Sequence, residues 1–215
     1  MEQNKFQHLS CVDCGKARCI NPETLPEYCL TGRIPPEVKA DAMAQYETEE
    51  NRAVMAAAAD VELTGYCKWP RVREVMEFAK RMGYTKIGIA TCVGLLNESR
   101  MLAKLLRSHG FEVFGMGCKA GTVPKTDVGI DPKNCAVGCN MCNPILQAKM
   151  LSHEGTQLNI VMGLCVGHDS LFYKYSEAVT TTLVVKDRVT GHNPVAALYT
   201  SESFYKSLFD APAER

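Results

Sequence analysis

The sequence predicts an α/β protein: a small three-layer parallel-sheet domain with an N-terminal four-cysteine metal-binding cap and a long connecting helix. Three observations predict it. From about residue 66 onward, short apolar runs alternate with helical patterns, the order of parallel βαβ units with right-handed crossovers. The apolar runs are continuous rather than alternating, as expected for a sheet covered on both faces. The first 36 residues hold four cysteines among Gly15, Asn21, Pro22, Pro26, Gly32, Pro35 and Pro36, with few large apolar residues to build a core. A segment of that kind needs a staple to be ordered.

The elements are taken in chain order. Residues 1–36 form the Cys-rich cap. Residues 37–63 are rich in Ala, Glu and Met without Gly or Pro, which predicts one long helix inside a 37–65 connecting segment, with Gly65 as its stop. The α/β domain occupies 66–215. Pro70 opens a helix that Gly83 closes. KIGIAT (86–91) reads as a strand, ESRMLAKLLRSHG (98–110) as a helix and FEVFGMG (111–117) as a strand. Residues 119–141 are a loop punctuated by Gly and Pro. Pro144 opens another helix. LNIVMGL (158–164) is the most apolar strand, a short helix covers about 169–177, and TTLVVKD (181–187) is the last strand. From Pro194 a helical stretch runs to a break near Thr200 and Ser201.

The 215 residues are 46% hydrophobic and 22% charged, which argues against disorder and allows a real core. Basic and acidic residues balance at 24 each, so no general attraction to nucleic acid or an anionic membrane is expected. No apolar run reaches the length of a membrane span, and the N-terminus has no basic-then-apolar export pattern, so a cytoplasmic setting is expected. The outlier is cysteine, with 11 residues. At this density, in a chain without an export signal, cysteine points to metal ligation or thiol chemistry rather than a disulfide scaffold.

Cys11, Cys14, Cys19 and Cys29 have the spacing C-x2-C-x4-C-x9-C. Such thiolates can close a tetrahedral zinc site or hold an iron–sulfur cluster. A second set is dispersed in sequence. Cys92, Cys118 and Cys165 each come a residue or two after a predicted strand. In a parallel sheet the strand carboxyl ends share one edge, where ligands bind at the point of strand-order reversal. Cys142 adds a fourth candidate. It precedes Asn143 and Pro144, which read as N-cap and first helical residue, so the helix dipole favours its thiolate. Taken alone, any one of these cysteines is more often core packing; their coincidence at one edge is the argument for a site. Cys135 and Cys139 lie with Cys142 in C-x3-C-x2-C, either as substitute ligands or as a redox pair. Cys67, beside Trp69, reads as packing.

Weaker candidates surround these. His168 and Asp169 come directly after Cys165-Val166-Gly167 and read as ligand, general acid/base or helix cap. His192 matches Cys142 in a weak internal repeat, HNPVAAL against CNPILQA. Lys119 and Lys125 come after the second strand and are placed to hold an anionic substrate or balance cluster charge. Gly94 and Gly167 suit tight turns that leave backbone N–H groups free for an anion. No dinucleotide, P-loop, zincin or nucleophile-elbow motif is present.

CVDCGKARC, TCVG, GCK, LCVGHD, CNPILQA and TTLVVKDRVTGHNPVAALY together resemble one bacterial and archaeal family, known as a cysteine-rich "metal-binding" domain of unknown function. The resemblance covers nearly the whole chain and implies metal binding through cysteines, largely in anaerobes. The residues favour a [4Fe–4S] cluster at Cys92, Cys118, Cys142 and Cys165, with zinc or a second iron–sulfur cluster at the N-terminal set. The expected partner is a small-molecule substrate, thiolated because soft iron favours sulfur, with His168, Asp169, His192 and Lys119 as catalytic candidates. No nucleic-acid or membrane partner is expected, and a homodimer is allowed. A non-catalytic zinc or soft-metal protein and a Cys139/Cys142 thiol redox protein are the competing readings.

Overall fold

The computed structural model describes residues 10–16, 19, 23 and 25–210. The N-terminal stretch 1–9, with Asn21 and Pro22, lies outside them. The chain divides into two compact units, Met1–Ala56 and Ala57–Arg215.

In the first unit, Cys11–Asp13 forms a 3-10 turn. Asp13 fastens it by accepting from both the Ser10 N–H at 2.7 Å and the Ser10 hydroxyl at 2.9 Å. A second 3-10 turn, Leu30–Arg33, starts from Cys29. The expected single helix over 37–63 is instead two, α1 (Pro36–Gln45) and α2 (Glu49–Gly65). Thr48 makes the break. Its hydroxyl accepts the Asn51 N–H at 3.3 Å, and the Asn51 amide turns back to the Gln45 carbonyl at 2.8 Å. A helix cap therefore lies inside a run whose composition favours continuous helix.

The second unit carries the sheet. Gly65 ends α2 as expected, and Trp69 packs where its Cβ would be. Cys67 is not the packing residue expected: it is exposed, at φ +54°, in the turn that closes the helix. Beyond it lie α3 (Arg71–Arg81), β1 (Lys86–Thr91), α4 (Leu96–Ser108), β2 (Glu112–Gly117), α5 (Pro144–His153), β3 (Leu158–Met162), α6 (His168–Tyr175), β4 (Val179–Val184) and α7 (Val195–Tyr199).

The four strands are all parallel, in the order β2-β1-β3-β4. The chain steps one way from β1 to β2 and the opposite way from β2 to β3. With right-handed crossovers, that reversal puts α4 on one face and α5 on the other. The cores agree. On one face Val75, Met76, Ala79, Leu102 and Leu106 of α3 and α4 pack on Ile87, Ile89, Ile160 and Met162. On the other, Ala148 and Leu151 of α5 and Phe172 of α6 pack on Ala90 and Val161. The fold is the three-layer α/β arrangement the sequence predicts. β3 is buried throughout, as its unbroken apolar run requires.

β4 begins and ends earlier than expected. The register slips between Val161 and Met162, so Met162 pairs with Val184 and Leu183 is skipped. Such a bulge bends a strand and re-aims the residues beyond it; β3 ends at Met162, so Val185–Arg188 lie past the last ladder pair, Met162 with Val184.

Gly88 in β1 sits where a Cβ would come within 2.2 Å of Asn159 Oδ1. Asn159 is fully buried, accepts from Thr156 at 2.8 Å and donates to Ser176 at 2.9 Å. Gly88→Ala should therefore cost about 1–3 kcal/mol through overpacking and disturbance of these bonds. The denaturation midpoint measures it; an unchanged midpoint contradicts this packing.

Candidate metal centre at the strand ends

The register fixes the first part of the site. Thr91 of β1 pairs with Gly117 of β2 on one side and Met162 of β3 on the other. The ladder continues one step further, with Cys92 N–H on the Met162 carbonyl at 3.1 Å and Cys118 N–H on the Thr91 carbonyl at 2.8 Å. Cys92 and Cys118 therefore leave adjacent strands side by side. Both are buried, at 8% and 3% exposure. Cys165 comes after β3, across the point where strand order reverses.

Cys142 arrives from the other side of a long loop. Asn143 caps α5 by accepting the Leu146 N–H at 3.0 Å, and Pro144 is the first helical residue. The Asn143 N–H donates to the Cys118 carbonyl at 2.7 Å, which pins the helix start to the end of β2. Cys142 is half-buried against the same core as Cys92 and Cys118.

The sulfurs form a directed row. Cys92 donates to Cys118, and that bond, with burial, pushes the Cys92 thiol up to about 12. Cys118 is raised chiefly by donating to Cys142, and also by burial. Cys142 ends the row as the acceptor. Its pKa falls to about 7, first through the Cys118 hydrogen bond and then through the charge of Lys119, while Cys165 and Cys92 oppose the shift. The four thiols therefore lie within electrostatic reach of one another. Backbone amides add to the site: Val93 N–H meets Cys118 Sγ at 3.5 Å, and Gly94 N–H bonds to Cys92.

Three cations surround the row. Lys119 stands beside Cys142, and its ammonium is anchored on the Asn140 carbonyl. Lys186 acts on Cys92. It reaches there past Gly163, at φ +62°, whose missing Cβ leaves room for Leu95 and the Lys186 stem. Arg188 Nη2 donates to Cys165 Sγ at 3.0 Å. The sequence reading missed Lys186 and Arg188 because it ran β4 through residue 187. It also missed Gln147. This fully buried residue of α5 donates to the Thr91 carbonyl at 3.1 Å and the Met116 carbonyl at 2.7 Å. A lone Gln within the apolar stretch PILQAKM was the available signal.

The remaining candidates separate. His168 is half-buried and opens α6, its N–H on the Cys165 carbonyl at 2.9 Å. Asp169 is not the helix cap; Gly167 takes that position, and the Asp169 carboxylate accepts the Ser170 N–H at 2.8 Å. His192 holds a loop: its Nδ1 accepts the Asp187 N–H at 3.2 Å and its own N–H returns to the Asp187 carbonyl at 2.8 Å. Asp187 accepts from Val189 and Thr190, both at 2.9 Å, so this compact turn presents Arg188 to Cys165. Lys125 reaches the Asn134 carbonyl within the 119–141 loop.

In the first unit, Cys11, Cys14, Cys19 and Cys29 all line one cavity of about 190 Å³, with Pro26, Tyr28 and Leu30. Among the described residues, no three His, Cys, Asp or Glu side chains gather at single-ion distances.

A parallel α/β domain with a thiol row at its switch point defines the class. The family is given by comparison: residues 29–183 match the model "Protein of unknown function (DUF1847)", and the chain belongs to that family. An uncharacterized protein of Methanocaldococcus jannaschii is 42% identical over 201 residues, spanning 93% of this chain and 98% of its own. Among the described residues, no helix is long and apolar enough to cross a membrane.

The graded thiols make the site testable by labelling. In metal-free reduced protein, iodoacetamide labelling of Cys142 should rise through a midpoint near pH 7, since its thiolate is the reactive form, while Cys92 stays unlabelled below about pH 9. Lys119→Gln should move the Cys142 midpoint upward; a midpoint that does not move removes Lys119 from the site. Gln147→Leu should cost about 1–3 kcal/mol, because it strips donors from two strand-end carbonyls. Equal stability of the variant in denaturant titration contradicts that role.

Proposed function

We propose that the chain is an iron–sulfur protein in which Cys92, Cys118 and Cys142 fix a [4Fe–4S] cluster, with Cys165 beside its fourth, exchangeable position, and that it acts as an enzyme on a small sulfur-containing substrate. The observation that carries this is the convergence of four sequence-distant thiols, ringed by Lys119, Lys186 and Arg188, at the sheet's switch point. The donor set fits the group. It is all sulfur, and its cations offset the negative charge of thiolates. The N-terminal cysteines, gathered on one cavity, hold zinc or a second cluster that orders a segment poor in apolar residues.

Cys165 differs from the other three. It lies outside the hydrogen-bonded row and is held by Arg188. A cluster with three fixed thiolates supplies a soft, Lewis-acidic iron with an open position. Around it, Lys119 and Lys186 attract an anionic substrate, while buried Cys92 and Cys118 exclude water from the inner edge. His168, one helix turn from Cys165, holds the proton for a departing sulfur. The overall change is replacement of a carbon–sulfur bond by a carbon–oxygen bond from water, with sulfur leaving as hydrogen sulfide. The chemistry and the oxygen-sensitive ligands fit a reducing cytoplasm.

Retention of Cys165 as a fourth ligand favours the second reading, a closed non-catalytic site for metal storage or delivery. Variants distinguish the two. After anaerobic reconstitution with iron and sulfide, Cys118→Ser should lose the visible cluster band, whereas Cys165→Ser should keep a cluster. Wild-type protein should release sulfide from at least one member of a panel of thiolated heterocycles and amino acids, and His168→Gln should slow that release about 10²-fold or more. Cluster loss in Cys165→Ser with no sulfide release by the wild type favours the closed site. A cluster intact in Cys118→Ser contradicts this ligand set altogether.

A further inference from the structure

The loop between Cys118 and Cys142 carries two more thiols that the sheet-edge row does not use. Cys135 lies in a 3-10 turn, Pro132–Val137, started by Asp131, whose carboxylate accepts the Lys133 N–H at 2.8 Å. The turn closes with Gly138 N–H on the Cys135 carbonyl at 2.8 Å. Gly138, at φ +104°, reverses the chain in a conformation that favours glycine. The next residue, Cys139, is held at its carbonyl by the Lys125 N–H at 2.9 Å, and Asn140 bridges to Pro124. This reversal of the chain brings the Cys135 and Cys139 side chains close enough to interact, beside the charge of Lys125. Cys139 is exposed and Cys135 half-buried behind it. Cys142, which a competing reading of the sequence pairs with Cys139, interacts with Cys118.

We propose that Cys135 and Cys139 are a redox dithiol, distinct from the sheet-edge site, that exchanges electrons with small linear disulfides. The hydrogen-bonded turn holds the two cysteines on one reversal of the chain, an arrangement in which a disulfide can close. Exposure selects Cys139 as the attacking thiolate. It displaces one thiol from a disulfide RSSR and forms a mixed disulfide. Cys135 then attacks the Cys139 sulfur and releases the second RSH. The net change is Cys135-SH + Cys139-SH + RSSR → Cys135-S-S-Cys139 + 2 RSH, with the two protein thiols oxidised and RSSR reduced. This inference does not rest on the metal reading, because neither thiol belongs to the proposed ligand set.

The test uses the reduced full-length chain and oxidised glutathione under anaerobic conditions, with denaturing alkylation and trypsin afterwards. The peptide 134–149 contains Cys135, Cys139 and Cys142. Fragmentation should show it lighter by two hydrogens, linked between Cys135 and Cys139, with Cys142 alkylated. Cys135→Ser should stop at a glutathione adduct on Cys139, and Cys139→Ser should form neither adduct nor link. Cys142→Ser should leave the link intact, which separates this outcome from any failure of the cluster assignment. A Cys139–Cys142 link, a persistent adduct on wild-type Cys139, or full reduction of both thiols would overturn the proposal.

Discussion

The site depends on one constraint, the in-register parallel pairing of β1 with β2 and β3. Because Thr91 stands level with both Gly117 and Met162, the chain leaves all three strands at one edge. Side chains alternate along a strand, so Cys92 and Cys118, each one step past a paired residue, emerge on the same face. A one-residue slip of β2 would turn Cys118 to the opposite face. Gln147 protects this register at the point of greatest consequence, by bonding the carbonyls of Thr91 and Met116 from the helix whose cap residue comes directly after Cys142. One buried amide thus ties three of the four thiols into a common frame.

Electrostatics then grade the thiols. The row runs from a proton-retaining Cys92 through Cys118 to an acidic Cys142, with Lys119 at its far end. The thiolate is the reactive form of cysteine, so Cys142 is the thiol poised near neutral pH while Cys92 keeps its proton well above it. The chain past β4 supplies cationic charge. Because β3 ends at Met162, β4 leaves the ladder after Val184, and Lys186 and Arg188 reach the thiols from beyond the strand.

Much of this was legible in the amino-acid sequence. The strand spans of β1 and β2, the Asn143 cap and the placing of Cys92, Cys118 and Cys165 at strand ends rest on apolar runs and helix-start chemistry, which are local signals. The features that were not legible depend on contacts distant in sequence. The β4 bulge depends on its pairing with β3, so residues 185–187 read as strand. The division of α1 from α2 rests on a single Thr48 cap within a strongly helical composition. The C-x3-C-x2-C spacing allowed Cys139 to pair with either Cys135 or Cys142, and the choice depends on Gly138 reversing the chain. His192 resembled a ligand by repeat position, yet its imidazole holds the turn that presents Arg188.

Metal and acid-labile sulfide content, measured on protein purified without oxygen, tests the central assignment most directly. The sheet-edge cluster predicts about four irons and about four sulfides per chain, more if the N-terminal set also holds a cluster, with a broad absorption around 400 nm. Zinc alone, at one or two per chain and without visible colour, would contradict it.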